Sequence, residues 1–203
     1  MNTPETAGII LAAGASERFG SPKQLANFRG KPLLQWVIDA AVQSDLDLVI
    51  VVLGHAHDRI LEQLDDPLRA EKIITFINHD FKSGQSSSLQ LGLTMARADY
   101  QAAMFLLADQ PKTDAALINR LNSAFWQSPK SICVPVYGGR QGNPVVFGSK
   151  YFDALMDTRG DQGGREIIRS NPDDVHEVET ANPHIFTDID TPEDLAGLNA
   201  EKP

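Results

Sequence analysis

The chain is short of several things, and each shortage excludes a class of protein. Its 203 residues include one cysteine, Cys133. One thiol makes no internal disulfide and no cysteine-based zinc cluster. Cys133 sits in the apolar run 131–137, where a small buried hydrophobe is the expected role. No apolar run is long enough to span a bilayer. The first residues, Met-Asn-Thr-Pro-Glu-Thr, put no basic region ahead of the short apolar run that follows. Positive charge is in deficit, with 18 Lys and Arg against 27 Asp and Glu, a formal net charge of −9. Nucleic acids and anionic membranes are bound by basic patches, so neither is an expected partner. A soluble, cytoplasmic protein is the expectation. An anionic small molecule stays open, because a few Lys and Arg can reverse the field inside a cleft. His55 and His57 are two residues apart and so point to different helix faces, which suits surface or cap positions better than metal ligation. Repeats, low-complexity tracts and linkers are missing too. With 42% hydrophobic residues for a core, one domain over residues 1–203 is expected.

Two familiar phosphate loops are also missing. Five residues separate Gly14 from Gly20, and Ser21 follows. A Walker A loop has four, with Lys directly after its second glycine, so Lys23 comes too late. The dinucleotide fingerprint G-x-G-x-x-G fails at Ser16.

What is there begins with residues 8–23, around which the chain is organised. Gly8 to Ala13 reads as a short buried strand ended by Gly14. Gly14, Ala15 and Ser16 are small enough for a ligand to approach the backbone closely. Arg18 and Lys23 put two cations in the same loop, while Gly20 and Ser21-Pro22 break any helix that starts there. Such a loop can hold a polyphosphate on backbone N–H donors and neutralise its charge.

Further along, 32–43 shows helical spacing, with Pro32 in the first turn. Buried strands are expected at 46–53, 73–77, 102–108 and 131–137, and helices at 55–64, 114–126 and 150–157. Ser86, Ser87 and Ser88 precede an amphipathic helix. One serine suffices for a cap; three after Gly84 point to a helix start that faces a ligand. Asp109 closes an apolar strand run, the end of a strand where open α/β sheets bind ligands, and Pro111 stops the strand sharply. Residues 138–147 form a hairpin-like insertion through Gly142, Asn143 and Pro144. A glycine-rich loop at 158–165 precedes a short helix. The last strands are expected at 175–178 and 185–189. Thr191 caps a final helix, with Pro192, Glu193 and Asp194 in its first turn.

The run Leu-Ala-Ala-Gly-x-Ser-x-Arg-Phe-Gly-x-x-Lys, residues 11–23, resembles the signature of the nucleotidyltransferase superfamily. Its likeness is to the molybdenum cofactor nucleotidyltransferases, in particular the cytidylyltransferase branch, and it extends from Gly8 to about Leu195. The order of the expected strands and helices predicts an α/β fold: a three-layer, Rossmann-like, mostly parallel mixed sheet with helices on both faces. The resemblance implies transfer of CMP from CTP to the phosphate of molybdopterin, with pyrophosphate leaving. It assigns catalysis to Arg18, Lys23 and Asp109. Nucleotide contacts fall on Leu11, Ala12, Ala13, Gly14, Ser16, Arg18, Lys23, Ser86, Ser87 and Asp109. Gly142, Asn143, Asp161 and Arg165 fall in the acceptor-binding segments, with Asn143 standing where the family has His. Asp109 and Asp190, the residue before Thr-Pro-Glu-Asp, are implied as Mg²⁺ ligands, with Asp188 as the alternative to Asp190. A molybdoenzyme maturation partner is implied as well. Related transferases use GTP or sugar and polyol phosphates, and a non-catalytic cofactor-binding protein is the reading from another class.

Overall fold

A computed structural model describes residues 5–201. One eight-stranded sheet runs through them, built from β1 (Thr6–Ala12), β4 (Leu48–Leu53), β5 (Ile73–Ile77), β6 (Ala102–Leu107), β7 (Ile132–Tyr137), β8 (Arg140–Gln141), β9 (Val145–Gly148) and β10 (Val175–Glu179). A separate two-residue ribbon pairs β2 (Asn27–Phe28) with β3 (Lys31–Pro32). The strand order is β10-β7-β9-β6-β1-β4-β5, with β8 hung on β7. β1 lies parallel to both β4 and β6. β9 runs antiparallel between β6 and β7, so the sheet is mixed where the hairpin-like insertion was expected. Gly138 (φ 58°) and Gly139 (φ 79°) make the tight turn from β7 to β8, a conformation that L side chains adopt poorly.

The helices are α1 (Leu33–Gln43), α2 (His57–Gln63), α3 (Asp65–Leu68), α4 (Gln85–Ala96), α5 (Ala115–Gln127), α6 (Phe152–Met156), α7 (Arg165–Ser170) and α8 (Pro192–Ala200). They cover both faces, because the period-2 alternation of each buried strand sends neighbouring side chains opposite ways. Ile10, Val51 and Met104 pack with Leu34, Ile38 and Leu121 of α1 and α5. Ile9, Val52 and Phe105 pack with Leu89, Leu93 and Leu155 of α4 and α6. Three layers result, as expected. Cys133 is fully buried, and that burial pushes its thiol up to about 12. Thr191 and Asp194 close a reciprocal capping box at the start of α8. No described helix is long and apolar enough to cross a membrane.

Gly92 lets α4 lie close on the sheet. A Cβ there would fall 2.4 Å from Ile9 Cγ2. Gly92→Ala should therefore lower stability by about 1–3 kcal/mol through overpacking, read as a fall in the urea midpoint at unchanged slope. An unchanged midpoint would mean that α4 has room to shift.

Three expected elements differ. Residues 185–189 form no strand: Pro183–Phe186 is a 3₁₀ turn. Ile185 and Ile189 are nonetheless buried. Ile185 plugs the space beside Gly142, where a Cβ would meet its carbonyl oxygen at 2.7 Å. Ile189 donates its N–H to the Asp109 carbonyl at 3.0 Å. That bond carries the last motif to the end of β6. Second, the helix expected from His55 begins at His57, after Ala56 in a left-handed turn. Third, Pro32 pairs in the small ribbon and caps α1 rather than sitting inside it.

Candidate active site

The loop after β1 is wound around Ser16. This residue takes a left-handed conformation, φ 57°, and its carbonyl accepts the N–H groups of Phe19 and Gly20. Its hydroxyl accepts the Lys23 N–H at 3.1 Å and donates to Gln24 Oε1 at 3.3 Å. Gln24 is 2% exposed, and its amide donates to the carbonyls of Ala12 (2.9 Å) and Gly14 (3.0 Å). The backbone is thus fixed from beneath while Leu11, Ala12, Ala13, Gly14, Ser16, Arg18 and Lys23 line a cleft of about 920 Å³. Gln24 is the residue that sequence reasoning missed here. A buried polar side chain inside an irregular loop has no periodicity to announce it.

At one end of the cleft three carboxylates and two cations converge. Lys23 Nζ donates to Asp109 Oδ2 at 2.7 Å and to Asp190 Oδ1 at 2.9 Å. Arg18 Nη2 lies 2.9 Å from the second oxygen of Asp190. Burial opposes the charge on Lys23, but Asp109 and Asp190 outweigh it and raise its pKa above the ordinary value. Burial also opposes the charge on Asp190, and Lys23 and Arg18 reverse the balance, holding its pKa low. Asp188 is raised, by burial first and then by the charge of Asp109. It accepts from Gln110 Nε2 at 2.7 Å.

Among the described residues no group of three or more His, Cys, Asp or Glu forms a metal cage. The donor chemistry of the pair Asp109 and Asp190 still fits a hard cation. Both carboxylates reach one nitrogen, so one ion can lie between them, and a magnesium-type ion takes one or two carboxylates plus phosphate and water oxygens.

A second cleft, of about 870 Å³, opens beside the first. Gly142 and Asn143 line it, with Lys130, Arg140, Arg169 and His176 around them. Arg165 and Asp188 line both clefts. In a chain of net charge −9, this second cleft is rich in cations, and the anions on its wall are Glu177 and Asp188.

Two groups of expected residues are placed differently. Ser86 and Ser87 do not line the nucleotide-sized cleft; Ser88, Gly84 and Gln85 do. Ser86 is buried, and its N–H bonds the Gly160 carbonyl. Ser87, inside the first turn of α4, turns its hydroxyl back to the Gly84 and Asp80 carbonyls and accepts from Asn78, so the local backbone engages it. Asp161 lines the first cleft rather than the second. Its carboxylate accepts the Gln85 N–H at 2.9 Å, because the glycine loop folds back over the start of α4. Gly84, at φ 98°, permits this approach: a Cβ there would lie 2.5 Å from the Gly160 backbone.

The chain is similar to known proteins along most of its length. Residues 8–176 match the family model described as the MobA-like NTP transferase domain. The purine catabolism protein PucB of Bacillus subtilis is 30% identical over 200 residues, covering 96% of each chain. A probable molybdenum cofactor guanylyltransferase of Bacillus cereus is 29% identical over 98 residues, which span 48% of this chain and 46% of that one. Among solved structures, Rv0371c of Mycobacterium tuberculosis superposes with a TM-score of 0.85 at 26% identity, covering 99% of this chain and 100% of that one. Its complex with manganese superposes at 0.79 and 25% identity, covering 98% and 100%.

Proposed function

The chain belongs to the MobA-like NTP transferase family, and from that premise we propose that it moves CMP from CTP to the phosphate of a molybdopterin-type acceptor, releasing pyrophosphate. One observation carries the reading. The cleft on the 11–23 loop and the cation-rich cleft share Arg165 and Asp188, so two anionic substrates can meet beside Lys23 and Asp109.

In this reading the triphosphate lies along the 14–18 loop. Arg18 holds the outer phosphates and Lys23 meets charge on the reacting one. Gly142, Asn143 and Arg165 hold the acceptor. An acceptor phosphomonoester is largely ionised at neutral pH, with a second pKa of about 6, and needs no base to attack. Positioning and charge neutralisation then supply the catalysis. Asp109 and Asp190 would hold Mg²⁺, which when bound supplies a Lewis acid for the charge growing on the leaving pyrophosphate. A triphosphate substrate and a free thiol both suit a reducing cytoplasm.

Calorimetric titration with CTP, GTP, ATP and UTP in the presence of Mg²⁺, paired with pyrophosphate detection, tests this. CTP should bind most tightly and release pyrophosphate once acceptor is added. A preference for GTP, the nucleotide implied by the name of the Bacillus cereus relative, would reassign the donor. Binding without pyrophosphate release on any phosphate acceptor would leave a carrier, not an enzyme.

A further inference from the structure

The two carboxylates suited to a divalent cation already hold a cation of the protein's own. Lys23 Nζ takes one oxygen of Asp109 and one of Asp190, and Arg18 takes the other oxygen of Asp190. A metal ion needs these same oxygens and would be repelled by both side chains. The bonds compete directly with metal binding.

The two cations differ in how they are held. Lys23 has its backbone pinned by the Ser16 hydroxyl and by buried Gln24 next to it. Its side chain is only 16% exposed, but the four-carbon stem has the rotatable bonds to swing the ammonium to a new partner. Arg18 is 71% exposed. Both line the cleft along the 14–18 loop. A polyphosphate in that cleft, which Asp109 and Asp190 also line, offers each a more highly charged anionic partner. Resting on the reading of that cleft as a triphosphate site, we propose that Lys23 and Arg18 form an internal counter-ion lock, which keeps Asp109 and Asp190 closed to divalent cations until a polyphosphate draws the two side chains away. The nucleotide and the metal then load together. The nucleotide-free protein does not sequester metal, and Lys23 moves from the carboxylates to the phosphate whose charge it meets.

The test uses Mn²⁺ alone, without nucleotide, followed by electron paramagnetic resonance of the free ion. The wild-type chain should bind weakly. Lys23→Met should bind on the order of tenfold more tightly, the scale on which one adjacent charge alters a carboxylate's affinity for a proton. Lys23→Arg, which keeps the charge, should stay near wild type. The gain should vanish in Lys23→Met/Asp109→Asn. Mn²⁺ should also raise the melting temperature of Lys23→Met more than that of wild type. If Lys23→Met fails to fold, Arg18→Gln, altered at an exposed position, should show a smaller gain. Equal affinity of wild type and these variants, or a gain that survives loss of Asp109, overturns the lock. Neither readout involves turnover. A protein that shows this pattern yet transfers no nucleotide would sink the proposed reaction and leave the lock standing.

Discussion

Asp109→Asn should abolish measurable turnover while the protein still melts cooperatively. The change keeps the shape of the side chain and removes its charge. Asp109 shares its cation with Asp190, and both follow buried segments that the Ile189-to-Asp109 backbone bond holds together. Removal of one carboxylate leaves a divalent ion a single protein anion and a neutral amide oxygen, a weaker site for Mg²⁺, which dehydrates reluctantly. Mn²⁺, a first-row transition ion that also suits carboxylate, carbonyl and water oxygens, should restore part of the rate. Asp190→Asn should act in the same direction. Asp188→Asn should do less, because Asp188 spends one oxygen on Gln110 and touches neither Lys23 nor Arg18 through a hydrogen bond. Pyrophosphate release measured with each metal decides the matter. Full activity of Asp109→Asn in Mg²⁺ would remove Asp109 from the metal assignment, and a larger loss in Asp188→Asn than in Asp190→Asn would move the second ligand to Asp188.

How far the sequence showed this site depends on which interactions are local. The 8–23 stretch was legible because strand, loop and both cations are contiguous, and the small residues that admit a ligand are visible as letters. Asp109 and Asp190 were legible as strand-end and pre-helix carboxylates. The family resemblance implies that they meet at one ion, but the means of their meeting is not legible, because it runs through the backbone bond from Ile189 to Asp109. Ile185 and Ile189 look like a strand by composition, and they are buried as a strand would be. Burial alone does not choose the conformation; here the isoleucines fill gaps beside Gly142 and β6 without joining a ladder. The serine run misled for a related reason. A hydroxyl at a helix start serves the backbone or a ligand equally well; here the 158–161 loop covers Ser86 through its N–H, and the Gly84 and Asp80 carbonyls engage the Ser87 hydroxyl. Asp161 sits in a motif shared with an acceptor segment, yet the same loop turns it onto α4.

Lys23→Ala brings these threads to one side chain. Its rate should fall by on the order of 10²–10³, the usual cost of removing a single preorganised charge-stabilising group. Lys23 follows Ser21-Pro22 in an irregular loop and belongs to no apolar periodicity, so its loss should spare the core. The structure adds a second effect. Lys23 neutralises two carboxylates that otherwise face each other, so the variant should also lose some stability, and added divalent cation should restore that stability without restoring the rate. The pH dependence carries the same signature. The pKa of Lys23 is raised above its ordinary 10.5, so the stability it contributes is complete below 10.5 and is lost as pH rises through the folded value. The pKa of Asp190 is held below its ordinary 3.8, so its share is present above 3.8 and is lost as pH falls through the folded value. Between those limits the pairs are intact, and neutral pH lies well inside. In Lys23→Ala the alkaline step should disappear from the stability profile, and the acid step should shift to higher pH, because Asp190 loses the partner that lowers its pKa. Thermal melts across pH, with pyrophosphate release at pH 7, separate the two roles. A variant with normal turnover and an unchanged profile would make Lys23 an ordinary surface residue, and the carboxylates would then need another explanation for their approach.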